Sequence, residues 1–228
     1  MSNKYAQFIK TLRNKRGFSQ FELAIKLGMS RPSYIAIEQG KKELTLSEAE
    51  NLSEIFGVSL KEMESGISAN YEKYKQMILA YIRNAGSKDG CITKTKLAKL
   101  VYLADFAWFY NHLESMSGMQ YRKIQYGPVP DSYFRAIDEL FEDGQIEINP
   151  TEDGAMLISQ TRNGAKIALT EISKDEEKLI KNISEKWKDK NTQEIVTFTH
   201  NQLPYAICLD NEIIPYELIT QENPGDVY

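Results

Sequence analysis

The residues of this chain best suited to catalysis or metal binding are two histidines and two cysteines, which lie far apart in the sequence. Cys91 and Cys208 form neither a zinc-binding pair nor a disulfide framework, so we expect two reduced cytosolic thiols. His112 is expected to end a helix, where an imidazole meets the last carbonyls. His200 is expected to cap or pack, with contact to a partner as the alternative. Since the sequence has no Gly-rich phosphate loop and no HExxH or CxxC motif, it predicts no catalytic residue, metal site or cofactor.

Tyr102 and Asp105 are polar residues, three positions apart, in an otherwise apolar stretch. Thr93 can cap a helix here, predicted over residues 94–111. This helix is apolar around most of its circumference, which predicts a place at the centre of a core. Because buried polar groups need hydrogen-bond partners, we expect Tyr102 and Asp105 to reach the turn at Tyr126 in a buried network. A shared role in binding a partner is the alternative.

Basic residues that could attract phosphate are concentrated at the start of the chain. Residues 1–42 hold nine lysines and arginines against two glutamates, whereas the whole chain has a net charge of −4. Residues 43–66 and 67–228 are both acidic on balance. Salt screens surface charges beyond about 10 Å, so phosphate attraction depends on the local excess. A basic leading segment on an acidic body is typical of a DNA reader that carries a separate partner-binding domain.

Three short helices can be assigned in the basic segment. The first covers residues 4–15, where apolar side chains recur at helical spacing. Ser19 and Glu22 form a capping box at the start of the second helix. After a short turn that contains a glycine, Ser30 caps the third helix, which has Pro32 in its first turn. Two helices joined by such a turn are a helix-turn-helix, whose second helix enters the DNA major groove.

The run from Leu12 to Leu60 resembles the Cro and phage-repressor (XRE-type) helix-turn-helix family. Its elements stand in the family's order: SQ-x-E-L-A, the G-x-S turn, I-E-x-G and the F-G-V-S-L ending. The resemblance implies a five-helix domain, with residues 46–56 and 60–64 as its last two helices. It also implies operator double-stranded DNA as a partner.

The same resemblance implies roles for individual residues. The expected DNA-binding residues are Gln20, Arg31, Ser33, Tyr34, Lys41 and Lys42. Arg31, Ser33 and Tyr34 would occupy the exposed start of the recognition helix, and Arg31 could form two hydrogen bonds with guanine. Gln20 would bond a phosphate or the neighbouring base reader, and the two lysines would meet phosphate. Family members often carry glutamine where this chain has Arg31, so no base preference follows. Arg13 and Glu38 would form a largely buried structural ion pair between the first and third helices.

Beyond residue 70 the pattern predicts a second domain that is mostly helical. A helix begins at Tyr71, and the end of the chain, from Pro204 to Ile219, should lie over the core surface. The predicted elements between them are helix 94–111, strand 120–126, a turn at 127–130, helix 132–142 capped by Asp131, a hairpin of 146–148 and 155–161, and helices 174–188 and 192–201. The fold class is therefore α+β, mostly α: a five-helix domain followed by a helix-dominated domain with a small antiparallel sheet.

Three motifs of the second region resemble the Panacea (SocA-like) antitoxin domain. They are K-L-V-Y-L-A-D at residues 99–105, Y-G-P-V-P at 126–130 and F-T-H at 198–200. The resemblance covers residues 71–216 and implies a protein-binding domain that neutralises a co-encoded toxin. Toxins paired with this domain are diverse, and several block translation. The candidate toxin-contacting or signature residues are Tyr102, Asp105, Tyr126, Gly127, Pro128 and His200.

Together these features predict a helix-turn-helix domain over residues 1–66, a linker over 67–70 and an antitoxin domain over 71–228. The expected protein is the antitoxin of a type II system, with a cognate toxin as partner and repression of its own operon. It would form a homodimer or a toxin–antitoxin hetero-oligomer. Without a secretory signal or a stretch of about 20 apolar residues, we expect a cytoplasmic protein with no membrane association. Two alternatives are a stand-alone transcription regulator with a ligand- or phage-sensing second domain, and a proteolytic adaptor.

Overall fold

The computed structural model describes residues 2–56, 69–85, 90–152 and 154–228. They fall into two compact units, Met1–Ala69 and Asn70–Tyr228. The helix predicted over residues 60–64 and half of the predicted linker lie outside the described residues. Within the described ranges no helix is long and apolar enough to cross a membrane.

Four described helices build the first unit: α1 (Ser2–Lys15), α2 (Gln20–Lys26), α3 (Arg31–Glu38) and α4 (Leu46–Phe56). Ser19 begins α2 with the predicted capping box, since its hydroxyl accepts from the Glu22 amide and the Glu22 carboxylate accepts from the Ser19 amide. Ser30 caps α3, since its hydroxyl accepts a hydrogen bond from the Ser33 amide. The apolar faces of these helices share one core, formed by Phe8, Ile9, Leu12, Leu23, Ala24, Leu27, Tyr34, Ile37, Leu52 and Phe56.

The second unit contains six α-helices and five strands among its described residues. In chain order they are α5 (Tyr71–Ala85), β1 (Cys91–Thr93), α6 (Lys94–His112), β2 (Tyr121–Ile124), β3 (Gly127–Pro130), α7 (Tyr133–Glu142), β4 (Ile146–Pro150), β5 (Met156–Gln160), α8 (Lys174–Trp187), α9 (Thr192–Asn201) and α10 (Leu203–Ile207). Short 3₁₀ turns follow at Gly164–Lys166, Tyr216–Gln221 and Pro224–Asp226. The predicted α+β, mostly α fold class is confirmed.

Helix α6 is the centre of the second unit. Thr93 caps it as predicted, by accepting a hydrogen bond from the Lys96 amide. Nearly all of its side chains from Lys96 to Phe109 are buried, and α5, α8, α9 and β3 pack around it. At its end, His112 Nδ1 lies 3.0 Å from the Trp108 carbonyl and its ring stacks on the indole. A helix surrounded on all sides fixes the relative positions of the elements that carry the unit's loops.

The strands form two antiparallel sheets where the sequence predicts one. A three-stranded sheet has the order β1-β5-β4, and a two-stranded sheet joins β2 to β3. On its other edge β2 also makes an isolated antiparallel bridge, between Arg122 and Ile213. The prediction of a turn over residues 127–130 is wrong: these residues form β3, with Lys123 opposite Pro128 and Tyr121 opposite Pro130. Prolines lack an N–H but are tolerated in a strand that has a free edge. The turn of the hairpin consists of residues 125 and 126, just before the predicted one.

Asp131 does not cap the helix that follows β3, contrary to the sequence prediction. Its carboxylate instead pairs with Arg122 of β2, at 3.1 and 3.0 Å, and so braces the hairpin. Helix α7 begins after Ser132, whose side chain makes no capping bond. An aspartate before a helix is an ambiguous signal, because a neighbouring strand can offer an arginine that sequence spacing does not reveal.

Asp105 is fully buried on α6 and satisfies three donors. It accepts from the Ser117 amide at 2.6 Å, from the Ser117 hydroxyl at 2.5 Å and from the Tyr121 hydroxyl at 2.8 Å. Burial raises the pKa of Asp105 from its ordinary 3.8 to about 6, although the hydrogen bonds from Ser117 and Tyr121 favour the carboxylate. This carboxyl group ties the loop after α6 and the start of β2 to the core helix.

The raised pKa predicts a specific pH dependence of stability. A carboxyl group with a raised pKa in the folded state stabilises that state while it is protonated, and this contribution is lost as the pH rises from the unfolded pKa to the folded pKa. The free energy of unfolding should therefore fall between pH 4 and about pH 6.5, as Asp105 loses its proton. The shift corresponds to about 3 kcal/mol. Both tryptophans, Trp108 and Trp187, belong to the second unit. Urea titrations followed by tryptophan fluorescence therefore report on this unit.

In the Asp105→Asn variant this fall with pH should disappear, whereas Asp138→Asn, at an exposed position on α7, should leave it unchanged. A wild type and an Asp105→Asn variant with parallel pH profiles would contradict the assignment.

Candidate functional site

The recognition helix α3 presents Arg31 to solvent at its first position. Pro32 beside it is also exposed, and Ser33 is half-buried with its hydroxyl 2.9 Å from that of Ser30. Arg31 is therefore free to reach a base edge, while Ser33 would have to exchange its bond to Ser30 for one to DNA. Both remain candidate DNA contacts.

Tyr34 is not on the exposed start of the recognition helix, and the sequence prediction is wrong on this point. Its side chain is 0% exposed, and its hydroxyl donates to Glu38 at 2.8 Å. On a helix, residue 34 lies about 60° round from residue 31, towards the face that packs on the core. Tyr34 therefore supports the helix from inside.

Glu38 is the point where three helices of the first unit are joined. Arg13 of α1 donates to it from Nε at 2.5 Å and Nη2 at 3.3 Å, and Gln20 of α2 donates at 2.9 Å. Burial alone would raise the pKa of Glu38, but the bonds from Arg13, Gln20 and Tyr34 hold it below its ordinary value. Arg13 and Glu38 thus form a buried ion pair. The Gln20 amide donates to Glu38 inside the domain, whereas the sequence predicted a bond to a phosphate or to the neighbouring base reader.

The two lysines after α3 differ in their availability. Lys41 is exposed, whereas Lys42 is half-buried and its ammonium lies 2.8 Å from the Glu48 carboxylate of α4. A phosphate would have to compete with Glu48 for Lys42, but not for Lys41. Arg31 and Lys41 are accordingly the most accessible of the predicted DNA-binding residues.

In the second unit the three sequence motifs meet at one place, beneath the β2–β3 hairpin. Lys99, from the first motif, donates from Nζ to the Pro128 carbonyl of the second motif at 3.2 Å. Gly127 packs so closely here that a Cβ would lie 2.6 Å from Lys99 Cε and 3.0 Å from Nε2 of His200, which belongs to the third motif. We call this contact of Lys99, Gly127, Pro128 and His200 the hairpin anchor.

Both ionisable groups of the hairpin anchor are shifted towards their neutral forms. Burial lowers the pKa of Lys99, which is 1% exposed, to about 7. Burial, together with the charges of Lys99 and Lys123, lowers the pKa of His200. His200 stacks on Tyr205 with ring centroids 4.3 Å apart, and its Nε2 has no hydrogen-bond partner among the described residues. Because Lys99 is closed to solvent and bonded to the Pro128 carbonyl, its amine holds the hairpin in place.

The predicted network of Tyr102, Asp105 and Tyr126 does not form. Asp105 is bonded to Ser117 and Tyr121 instead, and the buried Tyr102 hydroxyl has no partner among the described residues. Tyr126 points outward and is 68% exposed. Tyr102 and Asp105 both contact Tyr121, the first through its ring and the second through a hydrogen bond, because the hairpin places Tyr121, not Tyr126, against this part of the helix.

Lys99 was not among the residues predicted for the site, although it begins the first motif. The feature that could have identified it is its charge, on a helix predicted to be apolar on most of its surface. Such a side chain needs a buried acceptor, and here the acceptor is a carbonyl 29 positions away. In the described part of the chain, no group of three His, Cys, Asp or Glu side chains could hold a metal ion.

The hairpin anchor predicts a large effect of adding one methyl group. Gly127 has φ +99°, which disfavours any other residue, and alanine would also press on the Lys99 side chain. Gly127→Ala should lower the free energy of unfolding by about 2–4 kcal/mol in a urea titration followed by tryptophan fluorescence.

Gly144→Ala is the matched control, since Gly144 has φ +66° but open space around it. This variant should lose only about 1–2 kcal/mol, from backbone strain alone. Equal losses in the two variants would show that the close approach at Gly127 contributes nothing.

Comparison with protein-family models gives two matches. Residues 9–63 match a model described as Helix-turn-helix, and residues 97–204 match the model described as Antitoxin SocA-like, Panacea domain. Searches of curated proteins and of solved structures returned no match. The second match contains all four residues of the hairpin anchor. A helix-turn-helix implies DNA as a partner, and an antitoxin domain implies a protein partner. The chain therefore carries an XRE-type helix-turn-helix domain followed by a SocA-like Panacea antitoxin domain, as both sequence resemblances predicted.

Proposed function

We propose that this protein is the antitoxin of a type II toxin–antitoxin system. Its second domain binds a co-encoded toxin and blocks it by direct contact, and its first domain represses the operon that encodes both. The observation that carries the proposal is the match of residues 97–204 to the SocA-like antitoxin domain in a chain that also has a DNA-binding domain.

The buried state of the hairpin anchor favours binding over catalysis by the second domain. Lys99, whose amine is partly neutral near pH 7, would be the natural nucleophile, but it is closed to solvent and bonded to a backbone carbonyl. A catalytic group must reach its substrate within hydrogen-bond distance. An anchor that fixes a surface hairpin is what a preorganised binding surface requires.

The charge of the second domain supports a basic partner. Residues 67–228 are acidic on balance, and residues 203–228 contain five aspartates and glutamates with no lysine or arginine. Opposite charge steers two proteins together and raises the association rate. A toxin that acts on a nucleotide or an RNA would carry the basic surface that this domain could cover.

Autoregulation is proposed for the first domain through Arg31 and Lys41. Domains of this type bind as dimers to two half-sites about one helical turn apart, so we propose a homodimer or a toxin-linked assembly on the operator. Toxin binding would then tune repression by altering that pairing.

Growth rescue tests neutralisation separately from DNA binding. The adjacent gene is expressed in cells with the full-length chain or with its Arg31→Ala variant. Both should restore growth, because Arg31 belongs to the DNA-binding surface and the toxin is blocked by the second domain. An adjacent gene that is harmless alone, or growth arrest that neither protein relieves, would contradict the proposal.

Operator binding tests the role of the first domain. With DNA from upstream of the chain's own gene, Arg31→Ala should weaken binding by about 5- to 150-fold in fluorescence anisotropy, as expected for loss of one two-bond base contact. Its thermal unfolding should match that of the wild type.

Arg13→Ala should abolish operator binding, because the domain unfolds and not because a DNA contact is lost. Removing one partner of a buried ion pair costs about 3–5 kcal/mol, and circular dichroism should show the loss of helix. Arg162→Ala, which removes an exposed charge from the second unit, should change neither property. Full operator affinity in Arg31→Ala would remove Arg31 from the DNA contacts.

A further inference from the structure

The chain after α10 runs back along β2 and passes the turn of the β2–β3 hairpin. The amide of Lys123 donates to the Glu212 carbonyl at 2.9 Å. Closer to the turn, the Tyr205 hydroxyl donates to the Ile124 carbonyl, also at 2.9 Å. Because this segment runs antiparallel to β2, with Ile213 paired to Arg122, the residues that precede 211 continue in the direction of the turn that contains Tyr126.

Three large apolar side chains are exposed in this region. Tyr126 is 68% exposed, Ile207 55% and Leu209 75%. Single exposed apolar residues are common on protein surfaces, but a group of them indicates an interaction site. We call Tyr126, Ile207 and Leu209 the turn patch.

The backbone beneath the turn patch is held from several sides. Gly127, next to Tyr126, rests on the buried Lys99 side chain. Lys123 donates from Nζ to the Cys208 carbonyl at 2.9 Å, and so ties β2 to the segment that carries Ile207 and Leu209. A surface fixed before binding loses little conformational entropy when a partner docks, which suits an interface anchor.

Acidic groups border the turn patch. Asp210 and Glu212 are exposed beside Leu209. Of the basic side chains nearby, Arg122 is paired with Asp131, whereas Lys123 donates to the Cys208 carbonyl and keeps its positive charge against the two carboxylates. The edge of the patch is therefore negative on balance, which disfavours DNA and disfavours a second copy of the same acidic edge.

We infer that the turn patch is the surface through which this chain binds its toxin, with Tyr126 and Leu209 as its anchors. The patch fits an apolar cleft edged by lysine or arginine. This assignment rests on the proposed function, because it takes the toxin as the protein partner. It explains why an aromatic side chain stands exposed at the tip of a hairpin that a buried lysine holds in place.

The test measures binding of the purified product of the adjacent gene by calorimetry. The Tyr126→Ala, Leu209→Ala double variant should bind at least 30-fold more weakly than the wild type, since anchors of this kind dominate interface energetics. The control is the Leu113→Ala, Phe141→Ala double variant, which removes one leucine and one aromatic side chain with exposures of 69% and 50% elsewhere on the domain. It should bind within 3-fold of the wild type.

A second variant tests the acidic edge. Asp210→Lys should lower the association rate constant by about 10-fold at low salt and by less at high salt, because charges at the edge of an interface act mainly on association. All variants alter exposed side chains, so their thermal unfolding should match that of the wild type.

The outcomes distinguish a wrong assignment of the turn patch from a wrong proposed function. Tight binding by the wild type and equally by the Tyr126, Leu209 variant would overturn the turn patch and leave the proposed function standing. No binding by the wild type would overturn both. Self-association of the chain that the double variant abolishes would assign the patch to a second copy and overturn the toxin assignment.

Discussion

Gly127 can lie against the end of the Lys99 side chain only because it has no Cβ. This close approach fixes the β2–β3 hairpin on the central helix of the second domain, and much of the domain's surface depends on it. The Lys99 amine meets the Pro128 carbonyl, His200 closes the other side, and Tyr205 stacks on His200 while bonding Ile124. Burying an amine is unfavourable unless it finds an acceptor. The Lys99 amine has its acceptor, the Pro128 carbonyl, only when the hairpin is in this position.

The first domain depends in the same way on one buried carboxylate. Glu38 receives hydrogen bonds from α1 and α2 and from Tyr34 of its own helix, and these bonds hold the recognition helix against α1 and α2. The accessible candidates for DNA binding, Arg31 and Lys41, take no part in this network. The scaffold residues and the proposed contact residues are thus separate in this domain, which is why their substitutions are expected to have different consequences.

Local signals in the sequence predicted the helices well. Capping residues such as Ser19, Ser30 and Thr93 act within a few positions, so their effect can be read directly from the chain. The burial of Tyr34 could not be read in this way, because the first turn of a short helix does not define which side faces the core. The strand at residues 127–130 was hidden by its prolines, and β1 by its length of three residues.

Most features of the sites that could not be predicted from the sequence depend on contacts between residues that are far apart in the chain. The acceptor of Lys99 lies 29 positions away, and Arg122 meets Asp131 across a hairpin whose register depends on the rest of the fold. The turn patch combines Tyr126 with Ile207 at the end of α10 and Leu209 just after it, about 80 positions later in the chain. Motifs indicated which segments matter, but only the packing of α6 showed that Lys99, Gly127 and His200 belong together.

In the proposed function, the first domain controls how much of the protein is made and the second domain acts on a partner. The central claim is that the partner is blocked by contact, so the most direct measurement is the amount of the adjacent gene's product in cells whose growth this chain has restored. We predict that quantitative blotting will show an unchanged amount of that product. Restoration of growth only as the product disappears would contradict the account and would indicate an adaptor for proteolysis.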